Sequence, residues 1–497
     1  MVAHGKRSRS EGGSGLRDAH RRPNRTQSEV GMPNVLPAGD VTALRFPLSQ
    51  LVIELMPFFR PVSCLVLGLL FITTGGLSTL AQDAPPNAPS TESAAATPEG
   101  PANDGTGTAI PAAGAVTDGT ETAADAAADF LNDPEYKKEV ADRIARFRKS
   151  RDALADALGD MRESYLKYVN RENTSPADRV KYMERRLKVR ELMDATYDTA
   201  LDVARVGFDA DAAQYVVTMV QHRHEHNIYD APTMEGAARM IDGGSKLAYM
   251  FQTAGRSAMV AGEFDMAKRL LEVLEGDSLT DTDASLRFNL EEHRENYAKE
   301  KVIREREAAE DQLPRVLFKT TQGDVVIELF IDQAPIAVSH FLGLVEDGFY
   351  DGLDFHLVVD NLLAMTGDPS GKGIGNSGKF LKDEHEREDA RKAFRGSVVM
   401  AKVPRGETGD FIPNSASSQI AIMFLPVISI SKQQTVIGRV IEGMDSVSRM
   451  RRVDPNKEKK KGELVYPPDV VLEATVLRKP EQLPEPVYID PRTGQPM

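Results

Sequence analysis

Apolar residues recur every three or four positions between about residues 134 and 310, which is the spacing of amphipathic helices. One of the predicted helices begins at Ser175-Pro176, because serine caps the N-terminus of a helix and proline suits its first turn. Shorter helices are predicted at 209–226, 233–242, 245–261, 263–275 and 283–308. A first long helix is predicted from Val140, Ile144, Phe147, Leu154, Leu158, Met161, Tyr165 and Tyr168. The pattern predicts an α-helical domain over residues 129–311.

One stretch of this region has a more specific pattern. Small and apolar residues over 254–271, around Ala261-Gly262-Glu263-Phe264-Asp265, resemble a tetratricopeptide-like helical hairpin. A second copy at the expected period of about 34 residues is not evident. We therefore predict tetratricopeptide-like hairpins that bind other proteins or act as a spacer, without a clear repeat array.

Residues 316–476 have the pattern of strands instead. Only two stretches, 335–346 and 442–451, have helical spacing. The strand-like runs are 316–321, 325–330, 396–402, 419–424, 434–440 and 469–476. A mostly β unit of this size leaves no long edge exposed if it closes on itself. The sequence predicts a closed antiparallel β-barrel with two helices over 312–480, followed by a Pro-rich tail at 481–497.

Several short motifs follow one another in this β unit. They include Phe355-His356, Gly367-Asp368-Pro369, Arg395-Gly396-Ser397-Val398-Val399-Met400-Ala401, Ser418-Gln419 and Val436-Ile437-Gly438-Arg439-Val440. In this order, the motifs resemble the cyclophilin-type peptidyl-prolyl cis-trans isomerase family. The resemblance covers roughly a third of the chain.

The resemblance implies a specific chemistry. An X–Pro bond rotates slowly because amide resonance sets a barrier of about 18–20 kcal/mol. In cyclophilins an arginine donates hydrogen bonds at the prolyl imide while an apolar pocket holds the proline ring, so the twisted bond is stabilised more than either planar form. Proline-containing or unfolded proteins are the implied partners, and no cofactor is expected.

Most positions of the family's groove carry other residues in this chain. The arginine position is Leu357, which cannot donate, so no catalytic set is intact. The family's glutamine of the Ser-Gln pair is kept as Gln419, the rim residue falls near Ser429, and the histidine position is Gln434. The predicted groove consists of Phe355, Leu362, Leu363, Met365, Ala401, Lys402, Gln419, Ala421 and Gln434.

Two basic residues, Lys402 and Arg405, border this groove and are candidate substitute donors. The alternative, that both are solvated loop side chains, stays open, and lysine lacks the planar fork of a guanidinium. We predict an exported cyclophilin-type isomerase homologue that acts on protein clients in folding, with weak or absent catalysis. The alternative is a non-catalytic binding module or scaffold that uses the groove and the helical domain.

Residues 1–81 have the pattern of an export signal. Arg60 precedes an apolar run over 62–72, and Thr79-Leu80-Ala81 before Gln82 fits the small-x-small cleavage rule. This predicts a periplasmic or secreted mature protein. An uncleaved membrane anchor, with apolar residues at 44–59 lengthening the span, is the alternative.

The start of this signal is open between Met1, Met32 and Met56, since the run from Met56 resembles a complete signal by itself. Residues 1–55 are then an over-long start or an extended n-region. The following residues, 82–128, are rich in Ala, Pro, Thr, Gly and Asp and have little to bury, which predicts a disordered linker.

Charge and metal chemistry narrow the function classes. The net charge is −14, and residues 1–81 carry nine Lys and Arg against five Asp and Glu, so the remainder carries −18 and does not attract nucleic acid. Membrane contact is expected only through an uncleaved N-terminal segment.

The one cysteine, Cys64, lies in the N-terminal segment, so no disulfide is expected in the mature protein. His222 and His226 share a helix face, but without a third ligand at a recognisable spacing no metal site is predicted.

Overall fold

The computed structural model describes residues 131–169, 175–406, 409–454, 467–490 and 493–497. These residues belong to one compact unit. The predicted signal or anchor segment at 1–81 and the predicted linker at 82–128 lie outside the described residues. No helix within the described ranges is long and apolar enough to cross a membrane.

The predicted helical region is confirmed. Its first two helices pack along each other as a hairpin, and Ser175 begins the second one by accepting a hydrogen bond from the amide of Asp178 while the Asp178 carboxylate accepts from the amide of Ser175. The helices are α1 (Pro134–Val169), α2 (Pro176–Val206), α3 (Ala210–Glu225), α4 (Ala231–Asp242), α5 (Ala248–Ala261), α6 (Phe264–Glu272), α7 (Asp281–Phe288) and α8 (Leu290–Glu310).

Two details of this region differ from the sequence prediction. The predicted helix at 283–308 is divided into α7 and α8 at Asn289, whose side chain bonds back to the Ser285 carbonyl at 2.9 Å. The tetratricopeptide-like hairpin is not confirmed. Helices α5 and α6 do pack together through a left-handed Gly262, but α6 has only nine residues and a 3₁₀ turn at Gly276–Ser278 follows it.

The C-terminal region is an eight-stranded antiparallel sheet with strand order β3-β4-β7-β6-β8-β2-β1-β9. Helix α9 (Pro335–Glu346) and the short helix α10 (Met444–Ser448) accompany it, and β5 (Phe380–Leu381) pairs separately with β10 (Tyr488–Ile489) of the predicted tail. The strands of the sheet are β1 (Arg315–Thr320), β2 (Gly323–Leu329), β3 (Leu357–Val359), β4 (Leu363–Thr366), β6 (Ser397–Met400), β7 (Ile420–Met423), β8 (Val436–Glu442) and β9 (Val471–Arg478).

The sheet is open, so the predicted closed barrel is wrong. Its edges are β3 and β9, and the residues before β3 contact the start of β9 through the isolated bridge between Asp354 and Val470 and the backbone hydrogen bonds around it. The outer edge of β3 is taken by another isolated bridge, from Val358 to Val453. Because β3 has three residues and its free edge is already occupied, no continuous ladder joins it to β9. The result is an antiparallel half-barrel.

The two faces of the sheet carry separate apolar clusters, because successive strand residues point to opposite faces. The interior core contains Ile420 and Ile422 of β7 together with the aromatic group Phe318, Phe341 and Tyr350. The outer cluster contains the intervening residues of β7 and consists of Phe330, Leu363, Ala393, Val399, Ala421, Met423 and Val436.

The helical region packs directly on this sheet domain. On α8, Tyr297 contacts the ring of Phe394, and Glu300 and Glu307 accept hydrogen bonds from Arg391. Buried contacts therefore cross the domain boundary that the sequence predicts at residue 312. The helical region and the sheet domain share an interface.

Candidate functional site

The structure brings together three of the predicted groove residues on neighbouring strands. Leu357 of β3 is paired with Met365 of β4, and Met365 is paired with Ala421 of β7. All three belong to or pack against the outer cluster, so they form one row across the outer face of the sheet. By motif correspondence, this row replaces the family's arginine, glutamine and phenylalanine.

The exposure of the apolar groove residues is uneven. Ala421 and Leu363 are buried, Leu357 and Met365 are partly buried, and Leu362 is the most accessible at 39%. Phe355 lies instead in the interior core, on the other side of the sheet from the row. The accessible apolar surface is thus limited to the β3–β4 end of the groove.

Lys402 lies in a buried polar cluster at the other end. Its ammonium donates to Asp383 Oδ2 at 2.6 Å and to the carbonyl of Gln433 at 3.0 Å, and its side chain is only 4% exposed. The Asp383 carboxylate also accepts from the amide of Asn414 at 2.9 Å. Lys402 therefore ties two loops together, an arrangement that occupies two of its three donors.

Four other predicted positions are Ala401, Arg405, Ser429 and Gln434. The backbone amide of Ala401 donates to the carbonyl of Gln419. Gln434 is buried, and its backbone amide donates to the carbonyl of Ile430. Ser429 is exposed in a 3₁₀ turn, and Arg405 is exposed on the loop that follows β6.

Gln419 organises a glycine-rich loop beside the groove. Its Nε2 atom donates to the carbonyls of Gly373 and Gly375 at 3.2 and 2.8 Å, and this leaves the intervening Ile374 79% exposed. A side chain at Gly375 would lie 2.0 Å from Asp368 Oδ1, so only glycine fits there. The side chain of the retained Gln419 is therefore engaged with the loop.

Asp368 is a structural residue of the same loop, which the sequence marked only as part of the Gly367-Asp368-Pro369 motif. Burial raises its pKa, but hydrogen bonds from Ser370 and from backbone amides of the loop outweigh burial and lower the pKa to about 2. The signal for this role in the sequence is the Asp-Pro pair, which lies among several glycines. Nearby His356 is partly buried, and burial lowers its pKa.

The histidine pair lies at the C-terminal end of α3. The rings of His222 and His226 are 4.2 Å apart, and Nδ1 of His226 bonds to the His222 carbonyl at 2.8 Å. Among the described residues, no group of three His, Cys, Asp or Glu side chains is arranged to hold a metal ion.

The comparisons with known proteins match the sheet domain. The sequence profile described as cyclophilin type peptidyl-prolyl cis-trans isomerase/CLD matches residues 315–476. A probable peptidyl-prolyl cis-trans isomerase of Brucella suis biovar 1 is 34% identical over 178 residues, which cover 34% of this chain and 85% of the relative. The chain belongs to the cyclophilin-type family.

Two further proteins match about a third of the chain. A peptidyl-prolyl cis-trans isomerase of Helicobacter pylori is 32% identical over 157 residues, covering 31% of this chain and 91% of the relative. A Cryptosporidium parvum cyclophilin structure, obtained in the presence of the dipeptide Ala-Pro, is 24% identical, covers 33% of this chain and 99% of its own, and has a TM-score of 0.28. The family profile does not extend to the helical region.

Proposed function

We propose that the sheet domain binds proline-containing segments of protein clients and accelerates their isomerisation weakly or not at all. The observation that carries this proposal is the apolar row of Leu357, Met365 and Ala421 on three adjacent strands. A leucine has no N–H to donate to a prolyl imide. The row can cover a proline ring by burying apolar surface, but burial alone does not weaken amide resonance.

The contacts of the candidate substitute donors support weak catalysis. The Lys402 ammonium is buried against Asp383, and the Gln419 amide is bonded to the glycine-rich loop. Arg405 is exposed on the loop that follows β6. Recruiting Lys402 or Gln419 to a substrate would require breaking existing hydrogen bonds.

An active isomerase in protein folding is the second candidate function. Family membership favours it, and the Brucella and Helicobacter relatives bear the name peptidyl-prolyl cis-trans isomerase. A scaffold that binds partners without catalysis is compatible with the same apolar surface and with the helical region. Rate and binding measurements on the same protein separate these functions.

The test compares the full chain with Leu357→Arg and with Leu357→Arg combined with Met365→Gln. We expect the wild type to accelerate an Ala-Pro peptide weakly or not at all in a protease-coupled assay, while fluorescence anisotropy detects binding. The single variant should recover little, because its guanidinium lies beside an apolar Met365. The double variant should recover more than the single variant, since catalytic groups that act as a unit are not additive.

Leu472→Arg is the matched control, because Leu472 lies on β9 and is 57% exposed away from the row. It adds the same charge and should leave both rate and binding unchanged. A wild-type rate typical of the family would overturn the proposal, and its loss on Arg405→Ala would then identify a substitute donor.

We also propose that the protein acts outside the cytoplasm. The support is the arginine-led apolar run and the Thr79-Leu80-Ala81 pattern. The mature N-terminus is expected at Gln82, and mass spectrometry of the protein from its native host measures it. Membrane-bound protein that retains residues 56–81 would favour the anchor instead.

A further inference from the structure

The turn between β3 and β4 is built around Asn361. The strands end at the pair of Val359 and Leu363, and the amide of Leu362 donates to the Val359 carbonyl at 3.2 Å. Asn361 has a φ of 61°, a left-handed conformation that asparagine tolerates better than most residues. Leu362 and Leu363 follow directly, so the conformation of Asn361 determines where these groove side chains lie.

The helical region holds Asn361 through three hydrogen bonds. The Asn361 amide donates to Asn227 Oδ1 at 2.6 Å, and Asn361 Oδ1 accepts from the Tyr229 hydroxyl at 2.6 Å and from Arg256 Nη1 at 3.1 Å. The three partners are each at most 2% exposed. Hydrogen bonds are electrostatically stronger in such a low-dielectric setting than in water.

Arg256 is itself fixed by a buried carboxylate. Its Nε and Nη2 atoms donate to the two oxygens of Asp283 at 2.7 and 2.8 Å, and its Nη1 atom also donates to the Tyr229 hydroxyl at 3.1 Å. Asp283 is fully buried on α7. A continuous hydrogen-bonded chain therefore runs from α7 through Arg256 and Tyr229 to the β3–β4 turn.

The sheet domain holds the other side of this turn. The amide of Phe424 donates to the Leu362 carbonyl at 2.9 Å, and Arg452 Nε donates to Asp360 Oδ1 at 2.5 Å. The Arg452 guanidinium also lies over the Phe424 ring, 5.2 Å from its centre. The turn is thus clamped between the two regions, while the Leu362 side chain, like the Asp360 carboxylate, stays accessible to solvent.

We infer that Asn361 and Tyr229 are positioning residues of the peptide groove. The helical region fixes the β3–β4 turn and thereby places Leu362, the most exposed apolar residue of the groove, for contact with a peptide. This inference rests on the proposed function, because it assigns a bound peptide to the groove. It gives the helical region a role in the activity of the sheet domain. The family profile matches only residues 315–476 and so does not cover the helical region.

The experiment uses the full chain with Tyr229→Phe and, separately, Asn361→Gly, which keeps the left-handed backbone accessible. Tyr197→Phe is the matched control, because the Tyr197 hydroxyl is equally buried but donates to the Pro232 carbonyl within the helical region. The two readouts are binding of a fluorescent Ala-Pro peptide and the methyl resonances of Leu362 and Met365 without peptide. Chemical denaturation verifies that every variant is folded.

Both test variants should weaken peptide binding by about threefold to tenfold, because each removes hydrogen bonds that hold the turn in place. They should also shift the methyl resonances of Leu362 and Met365, while Val471 on β9 stays unchanged. Tyr197→Phe should alter neither readout, even where it lowers stability.

Unchanged methyl resonances in both test variants would overturn the inference, as would shifted resonances with unchanged peptide affinity. Equal shifts in Tyr197→Phe would also overturn it, since the effect would then be general loosening. If the wild type binds no peptide, the proposed function fails separately. The methyl resonances then still decide whether the helical region positions the turn.

Discussion

Replacing Arg391 with methionine is expected to lower the free energy of unfolding by about 3–5 kcal/mol. The Arg391 side chain is 1% exposed and donates to Glu300 at 2.7 and 2.9 Å and to Glu307 at 2.5 Å. Without it, both carboxylates stay buried on α8, with Arg304 as the remaining partner of Glu300 and Arg439 of Glu307. Urea denaturation at pH 7, followed by circular dichroism, measures the loss.

Arg387→Met is the matched control for this prediction. Arg387 lies four residues earlier and pairs with Asp389, but the two side chains are 41% and 48% exposed. Exposed pairs contribute about 0–1 kcal/mol, so the control should unfold almost as the wild type does. Equal losses in the two variants would show that burial of the ion pairs does not govern stability here.

A triple variant separates the cost of buried charge from the cost of lost packing. Changing Glu300 and Glu307 to methionine together with Arg391→Met removes the carboxylates that have lost Arg391 and should recover most of the stability, because buried ion networks are often replaceable by apolar residues. The Phe330 ring, 3.8 Å from the Arg391 guanidinium carbon, supplies an apolar neighbour for the new side chain. No recovery would indicate that shape, not charge, dominates the site.

The fold could be predicted where an element is long enough to repeat its pattern. Helix α1 repeats its apolar spacing over 36 residues, and β2 and β8 are strands of seven residues each that are rich in valine and isoleucine. Strands β3 and β4 have three and four residues, too few for a period, and only the family motif marked their location. Closure of the sheet was predicted wrongly because it depends on pairing between residues near 354 and 470, which no local pattern encodes.

The candidate site divides in the same way. The family order marked Leu357, Met365 and Ala421 as groove positions, and these residues lie side by side on adjacent strands. The partners of polar residues could not be predicted. Lys402 bonds to Asp383, which is 19 residues away in the sequence, and Asn361 bonds to Tyr229, which is 132 residues away. Such contacts depend on how loops and domains pack. The sequence therefore indicated the apolar row of the groove, but not the hydrogen bonds that hold the β3–β4 turn.

Acidification between pH 6.5 and about 4 is expected to destabilise the chain through His226. Burial lowers the pKa of His226 to about 4, and although the hydrogen bond to the His222 carbonyl raises it, the neighbouring cations Arg452, Arg449 and Arg190 lower it further. Burial and the nearby His226 ring also lower the pKa of His222 well below its ordinary value. The folded chain therefore holds both rings neutral where an unfolded chain would protonate them.

The sign of the effect follows from proton linkage. Between pH 6.5 and 4 the unfolded state binds more protons than the folded state, so the stabilisation is complete above pH 6.5 and is lost as the pH falls toward 4. For His226 alone, a pKa of about 4 against 6.5 corresponds to about 3 kcal/mol. His226→Asn cannot protonate, yet its amide can still donate to the His222 carbonyl.

The measurement compares unfolding free energies at pH 7 and pH 4.5 for the wild type, His226→Asn and the control His385→Asn. Carboxylates titrate in all three proteins, so the difference between variants isolates the histidine. The loss on acidification should be about 2–3 kcal/mol smaller in His226→Asn than in the wild type. His385 is only partly buried on a loop, and its replacement should change the loss much less. Parallel pH profiles for the wild type and His226→Asn would mean that His226 protonates equally well in both states, which is incompatible with its burial among arginines.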